Sequence, residues 1–330
     1  MNRVVLALAM SAALLFSQQP KKPAAAPPEQ PEEALIKVDV DLVSILYSVR
    51  NKSGGLVPNL GKDDFTIFED GKQQTIRNFA RETDLPLTIG LLIDVSRSQE
   101  NLIGVERQAA SQFFSQVLRQ KDMAFLISFG SEAELLQDST SSATMLKNAM
   151  NDLRVNTTFT GIAGMPGPVP TSRLKGTILF DAVYLAANDK LKREVGRKVI
   201  VIISDGVDVG SNYDIKQAIE MAQKADAIIY SVEYVDERGY GMLGGGGGAG
   251  TLRRMSEETG GRMYRVDRKH TLHQIFEDIQ NEMRSQYAIA YTPVNSSRDG
   301  AFRRIEVKVA NKDMKVQARK GYYATANSGQ

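Results

Sequence analysis

The chain has 330 residues, of which 42% are hydrophobic and 24% charged, and its formal net charge is only +2. This length and apolar content are enough for one large or two modest cores, and the near-neutral charge gives no electrostatic footprint for nucleic acid. The sequence has no cysteine, which excludes thiol catalysis, thiolate metal sites and disulfides. With only two histidines, His270 and His273, a Ser-His-Asp triad or a histidine-rich metal site has few candidates.

The beginning of the chain is typical of an export signal. Residues 1–3 are short and positive, and the apolar stretch 4–16 has the length of a signal-peptide core. It is too short for a comfortable membrane span of about 20 residues. We predict a signal peptide over residues 1–19, a Pro/Ala-rich linker over 20–34, and a periplasmic or secreted protein. An uncleaved signal sequence, which would anchor the chain in a membrane, is the alternative.

β-strand patterns occupy both ends of the remaining sequence. Residues 35–85 contain short alternating stretches and an Asp70-Gly71 hairpin signal, and residues 285–325 contain three more β-patterned stretches. A handful of short strands is too few for a stable sandwich. We therefore predict that both ends pair into one small β-sandwich, with residues 86–284 inserted between them. Two separate small β pieces are the alternative.

The middle of the chain, residues 86–284, alternates strands with helices. Buried strands are predicted at 87–93, 123–129, 198–203 and 227–232, and a short antiparallel edge strand at 133–136. A helix is predicted over 99–120, with Val105 in its apolar pattern. This alternation indicates the α/β class and a Rossmann-like, doubly wound, mostly parallel sheet built from right-handed β-α-β units.

Three oxygen-bearing residues, Asp94, Ser96 and Ser98, follow the first buried strand at once. In open α/β sheets, ligands bind at the carboxyl ends of the strands. One carboxylate and two hydroxyls at this spacing can present three oxygens on one side of a tight turn, and such ligands favour Mg²⁺, Ca²⁺ or Mn²⁺ over zinc. Taken singly, each residue could equally be a turn or helix-capping residue.

The Asp-x-Ser-x-Ser pattern resembles the metal-ion-dependent adhesion site of von Willebrand factor type A domains, which three loops build. The family's second-loop pattern, Gly-Thr-x-Leu-x-Asp-Ala, matches residues 176–182 and assigns Thr177. The third-loop aspartate matches Asp205 in a Ser-Asp-Gly sequence. Taken alone, Thr177 could cap the next helix and Asp205 could be a turn residue. Asp181 is expected to support the ligands from behind or to face its helix, rather than to bind the metal directly.

The resemblance implies how the site works. Serine hydroxyls bind the cation directly, the threonine binds directly or through water, and the carboxylates act largely through water. The cation then keeps an open position for an acidic group, which in the family is a Glu or Asp of a protein partner. The predicted ligands are Asp94, Ser96, Ser98, Thr177 and Asp205, with Mg²⁺ as the expected cation and Mn²⁺ or Ca²⁺ as alternatives.

These residues predict an exported adhesion or protein-interaction module, without enzymatic activity and without a nucleotide or nucleic-acid ligand. Two alternatives stay open. One is a metal-assisted hydrolase, for which the sequence offers no evident general base. The other is a structural envelope protein in which the metal only stiffens the loops.

The whole chain is similar to exported bacterial proteins described as VWFA-related, which are frequent in acidobacteria. Phe65 with Glu69-Asp70-Gly71, and the closing residues 319–323, carry this resemblance. Two segments depart from the type A pattern. The long second loop, residues 154–175, is expected to rim the metal, and the glycine-rich residues 239–250 lack the Gly-Lys-Ser/Thr of a phosphate loop. We predict that the latter form a flexible tether.

Overall fold

The computed structural model describes residues 42–81, 85–155, 176–235 and 248–325, all within one compact unit, Val40–Gln330. The predicted signal peptide and linker lie outside these residues, as do most of the long second loop and most of the glycine-rich segment. None of the helices in the described ranges has both the length and the apolar character needed to cross a membrane.

The strands and helices of the described ranges follow in chain order. The strands are β1 (Val43–Arg50), β2 (Phe65–Glu69), β3 (Lys72–Gln74), β4 (Ile76–Arg81), β5 (Leu87–Asp94), β6 (Met123–Phe129), β7 (Ala133–Thr140), β8 (Arg197–Ser204), β9 (Ala227–Glu233), β10 (Met263–Arg265), β11 (Tyr287–Tyr291), β12 (Phe302–Val309), β13 (Lys315–Ala318) and β14 (Gly321–Tyr323). The helices are α1 (Ile103–Val117), α2 (Ala143–Met150), α3 (Leu179–Leu185), α4 (Ile215–Lys224), α5 (Gly248–Thr259) and α6 (Leu272–Arg284). A π-helix, Ala186–Leu191, continues α3, and short 3₁₀ helices cover Lys62–Asp64 and Arg97–Gln99.

The six strands β5 to β10 form one sheet in the order β10-β9-β8-β5-β6-β7. All neighbours are parallel except β7, which runs antiparallel to β6 at the edge. Numbered by their appearance in the chain and read from β7, the strands follow the 3-2-1-4-5-6 order of doubly wound Rossmann-like sheets. The predicted fold class is confirmed.

Helices cover both faces of this sheet, as the continuous apolar strands require. One face packs against α1, α2 and α6, where the rings of Phe113 and Phe276 stack with centroids 4.4 Å apart. The other face packs against α3, α4 and α5. All eight residues of β5 are buried, so its carboxyl end is held firmly in the centre of the sheet.

The strands from the two ends of the chain form the predicted β-sandwich. One sheet has the order β13-β1-β11-β4 and the other β14-β12-β2-β3, so each combines early and late strands. Between them, the Tyr47 ring lies 5.0 Å from Phe65 and 5.4 Å from Tyr287, measured between centroids. Two separate β pieces are therefore excluded. The residue limits 35–85, 86–284 and 285–325 stay predictions.

The first helix differs from its prediction. Residues 97–99 form a 3₁₀ turn, and α1 begins only at Ile103. The buried positions of α1 therefore follow Ile103 at helical spacing. Val105 is 50% exposed, and its predicted place on the apolar side was wrong. The position three residues after Ile103 is Glu106, which is fully buried.

Helix α6 is fastened to the sandwich through one buried carboxylate. Glu282 accepts hydrogen bonds from the Ser48 hydroxyl (2.9 Å) and from the Arg50 guanidinium (2.5 Å), both on β1. The Tyr264 hydroxyl also donates to it, at 3.3 Å. The Glu282 side chain is fully buried, so its charge depends on these partners.

We expect Glu282→Ala to lower the free energy of unfolding by about 3–5 kcal/mol, because it leaves the largely buried Arg50 without its counter-charge. Glu277→Ala, at an exposed position of the same helix, should change it by less than about 0.5 kcal/mol. Urea denaturation measures both. Equal stabilities of the two variants would contradict this role of Glu282.

Candidate metal centre

The candidate site lies where two central strands end side by side. Asp94 is the last residue of β5 and Ser204 the last of β8, and these strands are parallel neighbours. The strand order reverses between them, since β6 lies on one side of the pair and β9 on the other. Such a switch point opens a crevice at the carboxyl ends of the strands.

The Asp94 carboxylate is completely buried and is held by the two neighbouring loops. Its Oδ1 accepts the Ser96 main-chain N–H at 2.9 Å, and its Oδ2 accepts the Ser204 hydroxyl at 2.6 Å. Burial raises the pKa of Asp94 to about 6, although the hydrogen bonds from Ser204 and Ser96 act in the opposite direction. Burial therefore makes Asp94 a weaker acid than an exposed aspartate.

Ser204 was missed in the sequence analysis. Its hydroxyl donates to Asp94 and accepts the Gly206 N–H at 2.9 Å, so it links the first and third loops. The sequence could have indicated this role, because Ser204 directly precedes Asp205 at the predicted end of a strand. Last residues of neighbouring parallel strands lie close enough for such a contact.

Two serines and the second aspartate meet beside Asp94. The Ser98 hydroxyl donates to Oδ2 of Asp205 at 2.8 Å, and the Ser96 and Ser98 hydroxyls lie 3.0 Å apart. Ser96 precedes the 3₁₀ turn but makes no side-chain cap bond to it. Asp205 does make a turn contact, because its Oδ1 accepts the Val207 N–H at 3.0 Å. The first and third predicted loops are thus in direct contact.

Main-chain hydrogen bonds place Thr177 at the same end of the sheet. Its carbonyl accepts the Val209 N–H at 2.7 Å, which ties it to the loop after β8. The next residue, Ile178, donates to the Gly130 carbonyl at 2.9 Å, just after β6. Thr177 is buried, and because α3 begins at Leu179 with Ile178 before it, Thr177 does not cap that helix.

The Asp181 carboxylate accepts hydrogen bonds from the loop before α4. Its Oδ1 accepts the main-chain N–H groups of Asn212 (2.7 Å) and Tyr213 (3.0 Å), and its Oδ2 accepts the Asn212 side-chain amide at 2.8 Å. The Tyr213 ring stacks on Tyr184 of α3 at 3.7 Å. These contacts fasten α3, and the Thr177 segment before it, to the third loop.

The last residues of the glycine-rich segment belong to helix α5 and contact the third loop. Gly248 begins α5, so residues 248–250 are helical and the tether prediction is wrong for them. A Cβ on Gly248 would lie 1.9 Å from the Asp205 carbonyl oxygen. Gly206, in the left-handed region at φ +79°, would meet the Gly248 carbonyl at 2.4 Å. Glycine is needed here because the helix touches the third loop backbone to backbone.

Two buried polar side chains behind the first loop were also missed. Glu106 and Gln99 are both fully buried, and their side-chain oxygen and nitrogen atoms find no hydrogen-bond partner within the described ranges. Burial, with the nearby charge of Asp94, raises the pKa of Glu106 well above its usual range. The helical spacing from Ile103 would have revealed Glu106 as a buried acid.

The donor set fits a hard divalent cation. Its oxygens come from hydroxyls and carboxylates, the ligands that Mg²⁺, Ca²⁺ and Mn²⁺ prefer. In an octahedron of about 2.1 Å radius, the bond length typical of Mg²⁺, neighbouring ligands lie about 3.0 Å apart. The Ser96 and Ser98 hydroxyls, which are hydrogen bonded to each other, lie at the same separation. Nowhere in the described part of the chain do three His, Cys, Asp or Glu side chains gather around a metal position, and the candidate site relies on hydroxyls instead.

Comparisons with known proteins concern the fold. No protein-family model matches this sequence, and no curated protein does. Similar solved structures include an aerotolerance-related membrane protein from Bacteroides fragilis, with 16% identity over 60% of this chain and 98% of that chain and a TM-score of 0.43. Another is the von Willebrand factor domain of the type V pilus tip protein Mfa5 from Porphyromonas gingivalis, with 12% identity, 60% and 95% coverage and a TM-score of 0.44.

A third similar structure is proximal thread matrix protein 1 from the mussel byssus, with a zinc-occupied metal-ion-dependent adhesion site. It has 13% identity and a TM-score of 0.46, and the match covers 66% of this chain and 50% of that one. The strand order of this chain, rather than these matches, defines its fold as a doubly wound, Rossmann-like α/β sheet joined to a β-sandwich.

We expect Gly248→Ala to destabilise the protein by about 1–3 kcal/mol, since the new methyl group cannot fit against the Asp205 carbonyl. Gly250→Ala is the matched control, because a Cβ there has no neighbour within 4 Å. That variant should be neutral or more stable by up to about 1 kcal/mol, as alanine favours a helix. Thermal unfolding measures both, and the opposite ranking would contradict the close contact.

Glu106→Gln tests the buried acid in protein stripped of metal by EDTA. The raised pKa means that folded Glu106 keeps its proton where the unfolded chain loses it, so stability falls as the pH rises above about 4.3. Glutamine cannot ionise and removes this fall. The variant should therefore gain on the wild type by up to about 1.4 kcal/mol per pH unit. Urea titrations at several pH values measure the difference, and parallel curves would refute the expectation.

Proposed function

We propose that this protein is an exported binding module that holds a divalent cation at the carboxyl ends of β5 and β8. The single observation that supports this most is the meeting of oxygens from two distant loops. Ser98 and Asp205 are 107 residues apart in the chain, yet their side chains are hydrogen bonded. Five oxygen-bearing side chains are hydrogen bonded at this switch point, those of Asp94, Ser96, Ser98, Ser204 and Asp205. The proposed ligands are Asp94, Ser96, Ser98, Thr177 and Asp205.

The charges of this set favour recognition of an external acid. Hydroxyls bind a cation without neutralising it, and the two carboxylates, Asp94 and Asp205, are already engaged by hydrogen bonds from Ser204 and Ser98. A bound cation would keep electrophilic character and would attract a further anionic ligand. We propose that this ligand is a Glu or Asp side chain of a protein partner, and that Mg²⁺ is the cation, because the donor set consists of hydroxyl and carboxylate oxygens.

The hydrolase alternative has less support. A metal-assisted hydrolase needs a general base beside the metal. The two histidines flank the start of α6, and the strand before that helix, β10, is three strand spacings from β5. That is about 14 Å at the usual spacing in a sheet. Both histidines are instead close to neighbouring acids, Asp267 and Glu277, at 3.4 Å.

Calorimetric titration with Mg²⁺ tests the cation site. The wild type should bind a single ion, and Ser98→Ala should weaken binding by at least about tenfold, a loss seen even for residues that only support metal ligands. The control is Ser115→Ala, an exposed serine on α1 whose hydroxyl donates to the Ser111 carbonyl. Equal affinities of the two variants, or no saturable binding by the wild type, would contradict the proposed site.

The partner is tested separately by affinity capture from envelope extracts. Proteins retained in Mg²⁺ should be lost in EDTA and should also be lost with the Ser98→Ala variant. Competition by free glutamate would indicate an acidic contact. If Mg²⁺ raises the melting temperature but retained proteins do not differ between Mg²⁺ and EDTA, the cation only stiffens the loops and the binding function is wrong.

A further inference from the structure

A cavity of about 390 Å³ lies at the opposite end of the six-stranded sheet. Arg197 and Ala227, the first residues of β8 and β9, form one wall. Strand β1, through Ser44 and Leu46, forms another. The loops of the candidate metal centre follow the far ends of the same strands, and a strand of eight residues spans about 26 Å. The cavity is therefore a separate place in the molecule.

The lining of the cavity is predominantly cationic. Four basic residues line it, and Asp226 is the one acidic residue among those that line it. Arg197 is fully buried and donates to the main-chain carbonyls of Met283 and Leu85, so it contributes charge rather than a free donor. Arg319 connects the two walls, since its guanidinium pairs with Asp226 and donates to the Ser44 carbonyl at 2.8 Å. Lys224 is partly exposed and pairs with Glu220 at 2.7 Å. The net positive lining favours an anionic occupant. The basic residues are Arg197, Lys224, Arg298 and Arg319.

Apolar and aromatic groups complete the lining. Leu46 and Ile228 contribute aliphatic surface, and Tyr322 and Tyr323 contribute rings. The Lys224 ammonium lies 5.3 Å from the centre of the Tyr323 ring, so charge and aromatic surface adjoin. An occupant that satisfies both kinds of surface needs an anionic head and an apolar body.

The size and position of the cavity are those of a ligand site. Pockets that bind small molecules have volumes of about 300–1,000 Å³ and occur preferentially where two structural parts meet. This cavity meets both conditions, because the α/β sheet supplies one side and the β-sandwich the other. We propose that it binds a small amphipathic organic anion, a carboxylate or phosphate monoester with an aliphatic or aromatic body, independently of the cation site.

Calorimetry on the full chain in EDTA, so that no divalent cation contributes, tests this site with octanoate, octyl phosphate and octanol. Both anions should bind saturably, and octanol at least about tenfold more weakly, the loss expected for a missing charged contact. Lys224→Gln should weaken octanoate binding by about tenfold. The matched control is Lys216→Gln, an exposed lysine of the same helix outside the cavity, which should bind as the wild type does.

Ser44→Trp tests the position of the ligand, because Ser44 lines the cavity from a strand whose next residue, Ile45, faces the core. The indole should fill the space and abolish octanoate binding. Circular dichroism verifies folding, and Lys224→Gln gives an independent result if that variant does not fold. The proposal is overturned if octanol binds as well as octanoate, if neither anion saturates, or if binding survives unchanged in Lys224→Gln.

Discussion

The buried carboxylate of Asp94 constrains the loops at the carboxyl ends of β5 and β8. It ends a strand with no exposed residue, and it is held by one main-chain N–H and by the hydroxyl of Ser204 from the adjacent strand. A second buried acid, Glu106, lies within its electrostatic reach. Burying such groups costs free energy that hydrogen bonds only partly recover. A cation bound at the proposed site would offset this cost for Asp94.

Much of this arrangement could be predicted from sequence because it depends on short-range patterns. The apolar run of β5 indicated a strand buried on both faces, and the polar residues that follow it marked its carboxyl end. Alternating strands and helices then implied a parallel sheet, in which all such ends share one edge. The pairing of early and late strands followed from the need of short strands for partners, and Tyr47 and Tyr287 now form the centre of that sandwich.

The parts that could not be predicted depend on the phase of a helix and on contacts between distant segments. Val105 and Glu106 are neighbours, and a late helix start decided which of them was buried. Gly248 stood in a run of glycines that composition alone presents as flexible, yet its lack of a Cβ permits contact with Asp205. The cavity at the opposite end of the sheet is lined by residues from Leu42 to Thr325, and no local sequence pattern predicts that these residues meet.

Anomalous diffraction from crystals grown with Mn²⁺ tests the central claim most directly. The account predicts one strong anomalous peak within bonding distance of the Ser96 and Ser98 hydroxyls, with Thr177 turned toward it and Asp94 and Asp205 close by. A peak elsewhere, or an empty crevice with the Thr177 hydroxyl directed away from the serines, would contradict it.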